Sequence, residues 1–186
     1  HSFWGIIRDT AVPFFFMTTG YVLASRLSKQ KGLVKSEVVY SSTIKSAKMY
    51  LTLVVVYAPL TIIGLLHNDF NSAMDIVLLL RGIFLTGQNY FSWHLWYLHS
   101  LIIGLLLFRR VIVTTQKSSV IFLIVLLAVV TSLLVDFQLK EYEILPLYLK
   151  FLFGTEFRYL LGFIYLSVGY LIQSKRVNFG IFSILL

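Results

Sequence analysis

Residues 91–108, FSWHLWYLHSLIIGLLLF, narrow the choice of fold more than any other stretch of this chain. The first half carries two tryptophans, a tyrosine and two histidines, and the second half is nearly pure Leu and Ile. Aromatic rings with a polar edge favour the boundary between lipid and water, and aliphatic side chains favour hydrocarbon. As a helix the stretch would reach roughly 27 Å, close to the ~30 Å of a bilayer core. Arg109 and Arg110 follow it, so it reads as a span that enters among aromatics and stops at a basic loop. It also carries His94 and His99 to membrane depth, where an ionisable group is a functional hypothesis by default.

The rest of the chain fits the same reading. Of its 186 residues, 58% are hydrophobic and only 13% charged, against about 25% charged in a soluble domain. The net charge is +8, but the cations gather in short segments between apolar runs. That is the pattern of cytoplasmic loops, not of a nucleic-acid face. There is no cysteine, which excludes disulfides and thiolate metal sites. No cleavable signal peptide is visible. The chain opens on His1 and ends on NFGIFSILL, which reads as a span just begun. A piece of a longer protein, cut at both ends, is therefore expected.

In chain order, residues 1–10 read as an interfacial segment or loop, because Arg8 and Asp9 are costly in lipid. A first span covers 11–25, with Pro13 in its first turn. Residues 26–48 hold six cations against Glu37 and read as cytoplasmic. A second span covers 50–66, with a kink at Pro59. The loop 67–75 has no Lys or Arg and is placed outside. Residues 76–85 are too short to cross and read as a re-entrant or interfacial half-helix, with Arg81 facing protein or water. Spans at 91–108, 119–135 and 157–172 complete five crossings whose flanking charges alternate. The expected fold is all-α: one polytopic membrane helix bundle over 1–186, with about five full spans plus short re-entrant or interfacial helices.

Histidine titrates nearest neutral pH, so His1, His94 and His99 are the candidate bases. The plainer reading of His94 is a hydrogen-bonding residue in an interfacial aromatic belt, that of His99 a helix-packing hydrogen bond, and that of His67 simple solvation. Arg158, near Glu156 at the outer end of a span, suits a phosphate or sugar, or simple snorkelling. Lys45 and Lys48, one turn apart at the cytoplasmic start of a span, suit an anionic cofactor such as a nucleotide phosphate, or positive-inside anchoring. No HExxH, P-loop, GxSxG or intramembrane carboxylate pair occurs, so no metal site is expected.

Three segments resemble the membrane acyltransferase 3 family. AVPFFFMTTGYVLASR resembles its R-x-AVPFFF-x-x-SGY motif, WHLWYLHSLIIGLLL its HLWFL-x-x-L segment, and GTEFRYLLGFIYLSVGYLI its TRNGLFFGF-type stretch. They occur in the family's order and cover most of the chain. The resemblance implies a bacterial inner-membrane, multi-pass O-acyltransferase. It would move an acyl group, usually acetyl from acetyl-CoA, to a hydroxyl of a cell-surface glycan or lipid-linked glycan precursor. It implies acyl-CoA and the acceptor glycan as partners, with no metal and no nucleic acid. It places His1 at the family's essential His, shortly before the AVPFFF motif. Lys45 and Lys48 stand where the family has an Arg-x-x-Arg pair linked to acyl-CoA. Arg158 with His94 and Trp96 would line the acceptor end. The family Arg before AVPFFF falls on Asp9, and the SGY serine is Thr19. The resemblance also covers membrane domains fused to amino-acid racemases, so a non-enzymatic permease for a small polar substrate is the alternative, and an inactive fragment a third.

Overall fold

The computed structural model describes residues 3–29, 34–67, 73–87, 95–114, 118–141 and 158–174. Among these every regular element is helical. The helices are α1 (Phe3–Leu27), α2 (Val34–His67), α3 (Ala73–Arg81), α4 (Trp96–Thr114), α5 (Ser118–Glu141) and α6 (Leu161–Ser174). A single π-helical turn, Gly82–Thr86, continues α3 and ends at Gly87, whose φ of 67° suits glycine.

Lys35–Gly64 within α2 is long and apolar enough to cross a bilayer. Only 17% of its apolar stretch is buried inside the protein, whereas the core helix of a soluble protein would be mostly covered. Leu51, Val55, Val56, Ile62 and Ile63 point outward from it. Shorter apolar stretches are Ile76–Thr86, Val120–Val135 and Leu161–Ser174. On α5, Phe122, Leu123, Leu127, Leu133 and Leu134 are exposed in the same way. Continuous outward apolar faces of this kind mark surfaces that are not left in water.

The core gathers around α6. Phe163, Leu166 and Ser167 on α6 are buried against Phe16 and Leu23 of α1, Leu101, Leu105 and Phe108 of α4, and Ile121 and Val125 of α5. Glycines let α6 come this close. A Cβ on Gly104 would stand 2.6 Å from the carbonyl carbon of Gly162, and one on Gly162 would run into the backbone of Ser100. Gly20 of α1 is pressed against the Leu166 backbone, and Gly169 against that of Met17. Helices in a lipid-like setting associate through such small-residue contacts, because apolar burial alone gives them little reason to meet.

Side-chain contacts set the helix directions. Arg109 near the end of α4 donates from Nε to Ser36 Oγ at the start of α2, at 2.9 Å, and stacks over the Tyr40 ring at 4.8 Å. Thus α2 and α4 are antiparallel. Ser100 and Gly162 meet near the starts of α4 and α6, and Phe108 and Tyr170 meet further along, with ring centroids 5.0 Å apart. Thus α4 and α6 run the same way.

Several local expectations change. Residues 3–10 are helical, not a loop, so Pro13 sits well inside α1 and leaves the Asp9 carbonyl without its N–H. The basic segment is largely helix: α2 starts at Val34, so Lys35, Lys45 and Lys48 all ride on it. Lys and Glu are good helix formers, and a helix can outrun the hydrocarbon at its polar end. For the same reason α4 continues past Arg109 and Arg110 to Thr114, with Arg109 anchored on α2. The short helix over 76–85 is present as α3 and its π turn.

Candidate functional site

Two polar regions stand out, one at each end of the bundle. The first lies where α1 ends and α2 begins. Val38, Ser41, Ser42 and Lys45 recur at helical spacing and so share one face of α2. That face meets Arg26 in the last turn of α1 and Lys29 in the turn just after it, lining a cavity of about 320 Å³. Three cations and two hydroxyls therefore line one mouth. A second cavity of about 280 Å³ adjoins it, sharing Arg26 and Ser42, and runs along α1 past Leu23, Val22, Thr19 and Thr18 to Phe15, with Leu105 of α4 as a wall. From Arg26 to Phe15 the groove follows α1 for about 16 Å. Its character changes from cationic at the mouth to apolar with hydroxyls inside.

The second region lies where α4 and α6 begin. The Arg158 guanidinium stacks over the Trp96 ring at 4.7 Å. Ser100 Oγ donates to the Arg158 carbonyl at 2.8 Å and accepts from the Gly162 N–H at 2.9 Å, which fixes the turn carrying Arg158. His99 stands between Tyr50 and Tyr159, about 6.0 Å from each ring. Its Nε2 is 3.0 Å from the Phe84 carbonyl, and Tyr50 donates its O–H to the Ile83 carbonyl. Those two carbonyls belong to the last helical turn before Gly87, where a helix has acceptors left over. Tyr50 and His99 thus cap the short helix from two neighbouring helices. Arg81, at the end of α3, lies within electrostatic range of the Tyr159 hydroxyl.

Sequence-expected residues fall unevenly on these regions. Lys45 lines the cationic mouth, and Trp96 pairs with Arg158. Lys48 is exposed and lines neither cavity. It shares the Ser41 side of α2 but lies about 10 Å further along the helix. His1 and His94 lie outside the described residues. Arg26 and Lys29 were expected only as topological charge, yet they form the α1 side of the mouth. Their signal was the 38/41/42/45 face of α2, where two serines and a lysine follow Val38. His99 is engaged with a backbone carbonyl, the packing role open to it from the sequence. Among the described residues no group of His, Cys, Asp and Glu is placed to hold a metal.

Comparison with known proteins gives the context. An amino-acid racemase of Enterococcus faecalis is 39% identical over 97 residues, covering 52% of this chain and 13% of the racemase. A serine/alanine racemase of Enterococcus gallinarum is 31% identical over 101 residues, covering 54% of this chain and 14% of that protein. The matched part is thus a small share of either relative's length. No solved structure matches the chain. The model of the acyltransferase 3 family, described as an acyltransferase domain, matches residues 1–186. With the whole chain matched, this protein belongs to the acyltransferase 3 family.

Proposed function

We propose that this chain is the membrane part of an O-acyltransferase that takes an acyl group, most simply acetyl, from acyl-CoA and places it on a hydroxyl of a cell-surface glycan or its lipid-linked precursor. The observation that carries the reading is the cationic mouth opening into a slender groove, in a chain of an acyltransferase family. Arg26, Lys29 and Lys45 meet the phosphates of CoA, with Lys48 further along α2 as a secondary attraction. The thioester arm follows the groove along α1. The acceptor approaches from the Trp96–Arg158 end, where an indole face stacks on a sugar ring and a guanidinium holds its oxygens. His94, two residues before Trp96 in the sequence, is assigned to the same role. His1 acts as general base. It takes the acceptor hydroxyl proton, the oxygen attacks the thioester carbonyl, the C–S bond breaks, and the CoA thiolate leaves and regains a proton.

The placement is a multi-pass one in the bacterial cytoplasmic membrane, with the mouth inside and the Trp96–Arg158 end outside. The outward apolar faces of α2 and α5 and the alternating helix directions support it. The test is acyl transfer by the full-length protein in membranes, following label from acetyl-CoA into lipid-linked and polymeric glycans, with His1→Ala beside wild type. Label that appears and is lost with His1→Ala supports the enzyme and its base. Label that survives keeps the enzyme and moves the base elsewhere.

The racemase relatives favour a second reading. In it the same helices serve a racemase as a membrane domain that admits a small amino acid. Uptake of labelled serine or alanine by vesicles, without incorporation into glycan, would select it.

A further inference from the structure

Three hydroxyls on the groove behind the cationic mouth are each held by their own helix. Thr18 donates its hydroxyl proton to the Phe14 carbonyl at 2.8 Å, and Thr19 to the Phe15 carbonyl at 2.8 Å. Ser42 donates to the Val38 carbonyl at 3.1 Å. All three side chains line the groove. A hydroxyl has one proton and two lone pairs. With each proton committed to its own helix, these hydroxyls turn only acceptor capacity toward an occupant. The remaining wall of Phe15, Val22, Leu23 and Leu105 offers no side-chain polar atom, and the cations stand at one end.

We propose that Thr18, Thr19 and Ser42 form an acceptor-only wall that selects a phosphate-headed ligand whose narrow arm carries N–H groups, as the two amides of a pantetheine thioester do. An N–H on the arm gains a partner there. A hydrocarbon tail gains only contact with Phe15, Val22, Leu23 and Leu105. A free glycan strand brings hydroxyls but no phosphate for Arg26, Lys29 and Lys45. The match is therefore to the arm as well as to the head of the donor, and it rests on the acyl-CoA reading above. The three hydroxyls are specificity residues and take no part in bond making.

The test measures binding to the full-length protein in nanodiscs. The probes are radiolabelled acetyl-CoA and radiolabelled adenosine 3′,5′-bisphosphate, which has phosphates but no arm. The double variant Thr18→Val with Thr19→Val keeps side-chain shape and removes both acceptors. It should weaken acetyl-CoA by on the order of ten-fold, for two neutral hydrogen bonds lost, and leave the bisphosphate unchanged. The double variant Thr18→Ser with Thr19→Ser should restore acetyl-CoA binding. Arg26→Ala should weaken both probes. Equal loss of both probes in the valine variant, or no loss of either, overturns the acceptor wall while leaving the donor reading intact. Wild type that binds neither probe overturns both. If the protein instead retains anionic phospholipid through Arg26, Lys29 and Lys45, and acetyl-CoA does not displace it, the groove belongs to lipid and the proposal falls.

Discussion

Gly104→Ala should force apart the seam between α4 and α6. The added Cβ would stand 2.6 Å from the Gly162 carbonyl carbon and 2.6 Å from the Phe163 nitrogen. Carbon atoms rest comfortably at roughly 3.5–4.0 Å, so α4 and α6 must part by about 1 Å. Both obstacles are backbone in a buried stretch of α6, so neither can swing aside as a side chain would. Overpacking of this kind costs ~1–3 kcal/mol. Parting also stretches the Ser100 bonds to the Arg158 carbonyl and from the Gly162 N–H, worth about 0.5–1.5 kcal/mol each. The total is roughly 2–6 kcal/mol, a large share of what holds most folds together. It should grow from Ala to Val at the same position. The assay is reversible unfolding of the full-length protein in mixed micelles, with Leu106→Ala on the exposed face of α4 as control. The control should stay within about 1 kcal/mol of wild type. Gly104→Val as stable as the control would refute the close α4–α6 approach. A second readout follows from geometry: parting the helices draws Trp96 away from Arg158, so, if the proposed acceptor site is right, acceptor KM should rise before donor KM does.

Arg109→Lys keeps the charge but loses the Nε–H donor to Ser36 and the flat stack on Tyr40, so it should cost about 1–2 kcal/mol in the same unfolding assay; wild-type stability would show that the α2–α4 anchor is idle. His99→Leu removes the partner of the Phe84 carbonyl, and hydrogen exchange over 82–87 should quicken, with a stability loss of ~1–3 kcal/mol; unchanged exchange would mean that α3 and its π turn hold without this cap. The buried Ser167 hydroxyl has no hydrogen-bond partner among the described residues, so Ser167→Ala should be neutral or stabilising by up to about 1 kcal/mol, and a clear loss would contradict the packing around α6. On the proposed assignment, Arg158→Lys, which retains charge without the planar stack on Trp96, should raise acceptor KM several-fold while leaving acetyl-CoA binding untouched; an effect on the donor instead would overturn the acceptor role of Arg158.

What could be read from the sequence divides by the range of the physics involved. Helical character and the short element at 76–85 follow from local apolarity and length, and both are present as helices. The lysine at 45 was visible because a cation at the start of an apolar run is a local pattern. The ends of helices were harder to place. Arg109 looked like a stop because its charge opposes lipid, but a hydroxyl and a ring on α2 hold it, and nothing near it in sequence announces Ser36 or Tyr40. The central place of α6 was hidden for a similar reason. Gly20, Gly104, Gly162 and Gly169 matter through backbone contacts with other helices, and a glycine in a helical pattern does not say which neighbour it admits.

The cationic mouth is the most instructive case. Arg26, Lys29 and Lys45 each have a sufficient explanation in membrane topology, and that explanation conceals a second one. Topology asks only that cations lie on one side; it does not ask that they converge. Convergence shows first in Ser41 and Ser42, which occupy with Lys45 the face of α2 turned toward α1. Positive-inside anchoring by itself asks for no hydroxyls at these positions. In the proposed donor site they are polar partners for a ligand, on the cavity that Arg26, Lys29 and Lys45 also line. The convergence of three cations and two hydroxyls on one cavity, more than the charge count, is what favours the proposed ligand mouth over a basic loop.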